Sequence, residues 1–419
     1  MTTYNFDKIT NRKGTNCLKY DFAVERGKPA DVLPLWVADM DFPVSEEISK
    51  SLHAAVEHGI YGYTQPKDAY YNAVMNWMER KHNWKTKREW IVKTPGVVFA
   101  LGAAVKAFTD PGDAILIQNP VYYPFTNIIR DNNRKVVDNT LAYHPVTERT
   151  VVPVTTDDAS EQQINNVGTV SPAYQIDFQD FERKIEQEHV KLFILCNPHN
   201  PVGRVWTVEE LQKLGEICLR HHVIVVSDEI HNDFVYPGYE HTVFANVDPR
   251  FAEFTLTCTA PSKTFNLAGL QISNIFIPNE NLRKAFKTEI DRTGYDEPNA
   301  LGVVACEAAY RAGEDWLEQL RAYLLKNLNF LRDFLQEKIP QIHLVEPEGT
   351  YLVWLDCSEL GITGKELDQF IVDKAGLWLD GGSMFGPSGA AFQRVNIACP
   401  QATLELALNK LKEAVDNLK

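Results

Sequence analysis

A doubly wound α/β fold, with a mostly parallel sheet in a large domain and a smaller α+β domain, is what this 419-residue sequence predicts. Three observations carry that expectation. Short, continuous apolar runs such as "KLFILCNP" (191–198) and "VIVVSDE" (223–229) lack the alternation of a half-exposed strand, so they read as strands buried on both faces. Amphipathic helical stretches separate them, the order that builds a parallel sheet covered on two sides. After about residue 290 the pattern changes to a long helical region followed by scattered short strands. The chain is too long for one core. We expect a large domain from residues 46–294 and a small one formed by the two ends, 1–45 and 295–419.

Taken in order, "SEEISKSLHAAVEH" (45–58) reads as a helix with a serine cap, and "GVVFALGAAVKAF" (96–108) as a buried helix opened by "TPG". "AILIQ" (114–118) is the first strand. Residues 144–172 are polar and poor in large apolar side chains, and read as a surface insertion. "KLFILCNP", the capped helix "TVEELQKLGEICLRH" (207–221), "VIVVSDE", "FTLTCTA" (254–260) and "NIFIP" (274–278) continue the parallel series. Residues 299–338 form the helical region. "YLVWLD" (351–356), "LWLDGG" (377–382) and "RVNIAC" (394–399) read as strands of the smaller domain, and "TLELALNKLKEAVDNL" (403–418) as its closing helix. "GGSMFGPSG" (381–389) reads as a flexible approach to the last strand.

Composition excludes several classes. A net charge of −14 opposes binding to phosphate backbones, so no nucleic-acid partner is expected. No apolar run is long enough for a membrane span, and the polar start "MTTYNFDKITNRKG" lacks a signal core, so a cytoplasmic protein is expected. The seven cysteines are scattered without a C-x-x-C pair, which points to free thiols rather than zinc or disulfides. "CLRHH" (218–222) has metal-ligating residue types but sits at a helix end without a partner cluster. "GITGKEL" (361–367) lacks the spacing of a phosphate loop.

The chemistry gathers where parallel strands end, because ligands of open α/β sheets bind there. Lys263 in "APSKTFNLAGLQ" (260–271) has no charged neighbour nearby and follows a strand. Asp228 ends "VIVVSDE", Asn200 follows "KLFILCNP", and Gly96 starts a helix. A lysine, an aspartate and a helix N-terminus together suit pyridoxal 5′-phosphate. The lysine amine takes the aldehyde as a Schiff base, the aspartate keeps the pyridine nitrogen protonated, and the helix N-terminus holds the phosphate. Tyr122 is placed to stack on the ring. Singly each feature has an ordinary reading, such as a capping aspartate or a proline-rich turn. Their joint order favours the cofactor site.

In that order, "NPHNPVG", "SDEIH" and "SKTFNLAG" resemble the fold-type I pyridoxal-phosphate enzymes of the aspartate aminotransferase superfamily. "LWVADMDFP" (35–43), "GYTQP" (62–66), "PVYYPF" (120–125) and "RVNIACP" (394–400) resemble the MalY/PatB branch of the cystathionine β-lyases. The resemblance spans nearly the whole chain. It implies Lys263 as the Schiff-base lysine and Asp228 as the pyridinium partner, with Asn200 and His231 near the cofactor's 3′ oxygen. It also implies backbone N–H groups of Val97 and Val98 and the Ser262 hydroxyl on the phosphate. Tyr63 would come from a neighbouring subunit, which implies a homodimer with shared active sites. Arg394 would bind the substrate α-carboxylate. Aminotransferases of the superfamily often carry an arginine where this chain has Gln271, a departure that fits the lyase branch. The implied reaction is β-elimination from cystathionine and other cysteine S-conjugates, giving a thiol, pyruvate and ammonia. An aminotransferase is the alternative, and an additional regulatory role through protein–protein contact is a second.

Overall fold

The computed structural model describes residues 2–145 and 173–418. Seven strands form the main sheet. They are β1 (Ile91–Thr94), β2 (Ala114–Ile117), β3 (Lys135–Asp138), β4 (Leu192–Cys196), β5 (Ile224–Asp228), β6 (Thr255–Thr259) and β7 (Ser273–Phe276), in the spatial order β1-β7-β6-β5-β4-β2-β3. β3, β2, β4, β5 and β6 are mutually parallel. Side chains alternate between two cores. Leu192, Ile194 and Cys196 face the helix Val97–Phe108, whereas Phe193 and Leu195 pack with the helices Phe178–Glu188 and Val208–Arg220. Both faces are covered, which is why the strands carry no polar alternation.

One strand differs from expectation. β7, the run "NIFIP", is antiparallel to both β6 and β1. A parallel crossover needs a return element that runs back along the sheet. The connection from β6 holds only the four-residue helix Pro261–Thr264 and a single turn, Ala268–Leu270. It stays at the sheet edge, so the chain re-enters in the opposite direction. That short return is where Lys263 sits.

Local signals explain the other elements. Ser45 accepts from the Ile48 N–H and caps the helix Glu46–His58. Thr207 and Glu210 form a reciprocal capping box at the helix Val208–Arg220. The helical region at 299–338 is two helices, Ala300–Ala312 and Glu314–Lys338, divided at Gly313, whose missing side chain makes room for the Phe265 ring. A second, antiparallel sheet contains His343–Val345, Leu352–Asp356, Phe392–Asn396 and Asp380–Gly381 in that order. "LWLDGG" is therefore not one strand. Leu377–Trp378 pairs with Leu33–Pro34 from the start of the chain, and Asp380–Gly381 pairs with the Arg394 strand. "GGSMFGPSG" is packed rather than loose: Gly382 and Gly389 press backbone to backbone, and Phe385 accepts from the Val121 N–H at 2.9 Å. Of the expected insertion, residues 146–172 lie outside the described residues. Its flanks are joined, since Ala142–Tyr143 pairs with Tyr174–Gln175.

Two glycines allow a paired test. A Cβ on Gly215, inside the helix Val208–Arg220, would stand 2.1 Å from the Phe251 ring, whereas one on Gly102, inside Val97–Phe108, meets nothing within 4 Å. Helix propensity alone favours alanine at both by about 1 kcal/mol. We expect Gly102→Ala to raise the urea midpoint and Gly215→Ala to lower it, with overpacking costing about 1–3 kcal/mol. Equal shifts in one direction would contradict the packing described.

Candidate active site

β4, β5 and β6 end in register, with Cys196 opposite Asp228 and Asp228 opposite Cys258. The chain reverses its winding direction between β2 and β4, and a crevice opens at that point. It is bridged where the Tyr122 N–H donates to the Asn200 carbonyl at 3.0 Å. A pocket of about 190 Å³ occupies this crevice. The structure brings Lys263, Asp228, Asn200, His231, Tyr122, Ser262, Gly96, Val97 and Val98 to its wall. These residues arrive from beyond the ends of four strands, β2, β4, β5 and β6, and from the N-terminus of the helix Val97–Phe108.

Lys263 donates from Nζ to the Ala38 carbonyl at 2.8 Å. Burial pulls its pKa down to about 8, and the Arg394 charge adds to the effect while Asp39 and Asp228 oppose it. Asp228 is buried at 5% exposure, and burial lifts its carboxyl to about 7. The Ile230 N–H, which donates to its Oδ1 at 3.2 Å, and the Lys263 charge hold it back, while neighbouring Glu229 pushes it further up. An amine and a carboxyl that would ordinarily differ by several units are thus drawn toward each other near neutrality. His231 is held well below its ordinary value by burial and by the charges of Lys263 and Arg394, so its imidazole is neutral. Its Nδ1 is buried without a hydrogen-bond partner, as is the Asn197 side-chain oxygen.

The remaining residues stand apart from the pocket. Arg394 is 3% exposed and lies behind Asn200, donating to Asn200 Oδ1 at 3.0 Å and to the Trp36 carbonyl at 2.9 Å. It also pairs with Asp380, stacks over Phe385, and keeps a buried Nε–H without a partner. Tyr63 is 97% exposed and outside the pocket, within a run that also exposes Val56, Ile60 and Tyr61. The subunit alone does not bring it to the other site residues.

Some contributors were not anticipated. The carbonyls of Trp36 and Ala38 reach Arg394 and Lys263 from one extended N-terminal segment, which Asn396 and Asn266 pin through side-chain hydrogen bonds to Val37, Asp39, Met40 and Phe42. The motif "LWVADMDFP" marked that segment, but its backbone contribution has no side-chain signature. Cys196 lines the pocket beside Asp228, where burial raises its thiol far above the ordinary range and leaves it uncharged.

A sequence model of the aminotransferase class I and II family matches residues 30–411. The chain is 43% identical over 411 residues to cystathionine β-lyase PatB of Bacillus subtilis, covering 98% of this chain and 100% of that one. Among solved structures, cystalysin of Treponema denticola, which contains a pyridoxal 5′-phosphate cofactor, matches with a TM-score of 0.90 at 36% identity over 100% of both chains. The pyridoxal-phosphate-bound C–S lyase of Staphylococcus hominis matches with a TM-score of 0.87 at 34% identity, covering 99% of this chain and 98% of that one.

The depressed lysine is measurable without any ligand. A lysine is the free amine above its pKa, so competitive amine labelling of the apoprotein should give Lys263 a midpoint near pH 8. The Asp228 charge favours the ammonium, so Asp228→Asn should move that midpoint lower. A midpoint above 10, the ordinary lysine range, would show that the pocket does not desolvate Lys263.

Proposed function

From its membership in the aminotransferase class I and II family, established over residues 30–411, we infer that this chain is a pyridoxal-phosphate-dependent C–S β-lyase. Its substrates are cystathionine and related cysteine S-conjugates, and its products a thiol, pyruvate and ammonia. The observation that carries the reading is the Lys263–Asp228 arrangement beside the Gly96 helix start, in a chain 43% identical to a cystathionine β-lyase.

The donor set fits the cofactor. The helix Val97–Phe108 has no side-chain cap at Gly96, so the Val97 and Val98 N–H groups are free for a phosphate, with the Ser262 hydroxyl beside them. The unpartnered His231 Nδ1 and the Asn200 side chain offer polar groups to a ring oxygen, and the Tyr122 ring a stacking face. When bound, pyridoxal phosphate supplies an aldehyde that engages an amine and a ring that takes up electron density from Cα. Lys263, with a pKa near 8, is partly free base at neutral pH and can accept the Cα proton. Asp228, lifted to about 7, retains a proton to share with a ring nitrogen and regains stability as a carboxylate once a cationic partner stands beside it. Arg394, with its spare Nε–H, is the anchor for the substrate carboxylate. Departure of the sulfur as thiolate completes the elimination, and water then releases pyruvate and ammonia. Gln271 at the pocket wall, in place of the arginine common in aminotransferases, favours the lyase over transamination.

The exposure of Tyr63 supports a dimeric assembly. A nearly fully exposed tyrosine beside Val56, Ile60 and Tyr61 suits a surface covered by a second copy, which would bring Tyr63 to the partner's phosphate site. The small domain would then comprise residues 1–45 and 295–419, and the cofactor-binding domain 46–294. A cytoplasmic location agrees with seven free cysteines and with the lack, among the described residues, of a helix able to cross a membrane.

Incubation with cystathionine should release pyruvate and free thiol without an added keto acid; a strict need for a keto acid would favour the aminotransferase. Borohydride should fix the cofactor covalently in the wild type and not in Lys263→Ala. Asp228→Asn should keep cofactor binding and lose on the order of 10³ in kcat, as when a preorganised electrostatic partner is removed. A loss under tenfold would remove Asp228 from that role.

Mixing inactive Lys263→Ala with an impaired Tyr63→Ala variant should restore roughly half of wild-type activity per hybrid dimer, because one of its two sites is whole. No recovery after confirmed subunit exchange would place Tyr63 in its own subunit's site.

A further inference from the structure

The turn after β5, "DEIHND" (228–233), has two sides. Asp228, Ile230 and His231 line the pocket, whereas Glu229 and Asp233 do not. These two carboxylates point into the interior behind it and are buried at 0% and 6% exposure. A buried carboxylate is costly unless its oxygens are fully engaged, and both of these are. Asp233 accepts from Trp77 Nε1 at 3.1 Å, His82 Nε2 at 3.0 Å and Thr264 Oγ1 at 2.6 Å. Glu229 accepts from Ser227 Oγ at 2.8 Å, the Phe244 N–H at 3.0 Å and His241 Nε2 at 3.0 Å. The two imidazoles then meet edge to face, with ring centroids 5.5 Å apart and planes at 89°.

The connections run to both reacting residues. Thr264 is the residue after Lys263 and the last of the helix Pro261–Thr264, so Asp233 fixes the short return on which the lysine is carried. Glu229 is the residue after Asp228, and its own N–H donates to the Cys258 carbonyl at 2.9 Å, tying the end of β5 to β6. His82 closes the helix Asp68–His82, which also supplies Trp77, so a helix outside the sheet braces the set.

We propose that Asp233 and Glu229, joined through His82 and His241, are positioning residues that lock the Lys263 turn and the Asp228 turn in one mutual geometry. Neither touches the pocket. Asp233 acts through Thr264, and Glu229 acts through the backbone beside Asp228 and through its charge, which raises the Asp228 carboxyl. Hydrogen bonds from His82, Thr264 and Trp77 overcome the effect of burial and hold Asp233 below the ordinary carboxylate range, so it remains an acceptor for all three. This inference rests on the cofactor reading above.

The test uses the cofactor-loaded protein and two readouts, turnover and the pH midpoint of the bound cofactor's visible absorbance. Thr264→Val removes one hydroxyl, whereas Thr264→Ser retains the donor. We expect Thr264→Val and Asp233→Asn each to lower kcat by about tenfold to a hundredfold with KM within about twofold, the scale of a small misplacement of a reacting group. Thr264→Ser should stay close to wild type. Glu229→Gln should shift the absorbance midpoint, because it deletes a charge next to Asp228. Wild-type kcat and midpoint in Thr264→Val and Glu229→Gln, even with a lowered melting temperature, would overturn the proposal by reducing the network to a structural brace. Should Asp233→Asn fail to fold, the Thr264→Val and Thr264→Ser pair decides alone. Failure of the wild type to take up pyridoxal phosphate would overturn the cofactor reading itself, a result separate from any effect of the variants.

Discussion

Desolvation of one lysine and one aspartate in the same crevice is the constraint on which the rest of the molecule depends. In water the two would be fully ionised and inert toward proton transfer near neutral pH. Withdrawn from it, Lys263 falls to about 8 and Asp228 rises to about 7. Holding both there requires rigid supports with no slack. The parallel strands supply this for Asp228, whose neighbours across the sheet are Cys196 and Cys258, small side chains that leave the carboxyl room and stay neutral. For Lys263 the support is a one-turn helix too short to be stable alone, and it is secured from outside by Asp233, Asn266 and the Ala38 carbonyl.

Much of this was legible in the residues. Continuous apolar runs of strand length, separated by amphipathic helices, identified β2, β4, β5 and β6 as parallel strands; run length was needed to tell them from a buried helix such as Val97–Phe108. The pocket residues on strand ends followed from the same logic. What escaped was set by distance along the chain or by lack of a side-chain signal. The reversed direction of β7 depends on the connection after β6 never running back along the sheet, and apolar content is blind to strand polarity. The helix Asp68–His82 carries apolar residues at helical spacing, among them Tyr70, Val74, Trp77 and Met78, but its His82 and Trp77 acquire meaning only opposite Asp233. The edge strands β1 and β3 are short and flanked by charges, so they blend into loops. The division of "LWLDGG" into two pairings reflects partners at positions 33–34 and 393–394, which no local pattern encodes.

Arg394, singled out in the sequence as a candidate for a substrate carboxylate, lies in an unexpected setting. An arginine reserved for a substrate carboxylate would be expected to face an open pocket. Here it is enclosed by Asp380, Asn200 and the Trp36 carbonyl. Such an enclosure neutralises a buried guanidinium and fixes its plane, at the cost of leaving it fewer donors to offer.

The extended segment at residues 33–42 has a consequence for how the protein comes into being. Its pairing partners are Leu377–Trp378, Asn396 and Ala398, near the other end of the chain. On a ribosome the segment emerges long before these partners and must wait, unpaired, until they follow. The closing contact joins segments far apart in sequence, Leu33–Pro34 and Leu377–Trp378. A product stalled before these partners can thus build the main sheet and its strand-end aspartate while the Ala38 carbonyl that receives Lys263 is still without the contacts that pin its segment. The setting of Lys263 is thus finished only when strands far downstream of it have been made and have paired with the segment.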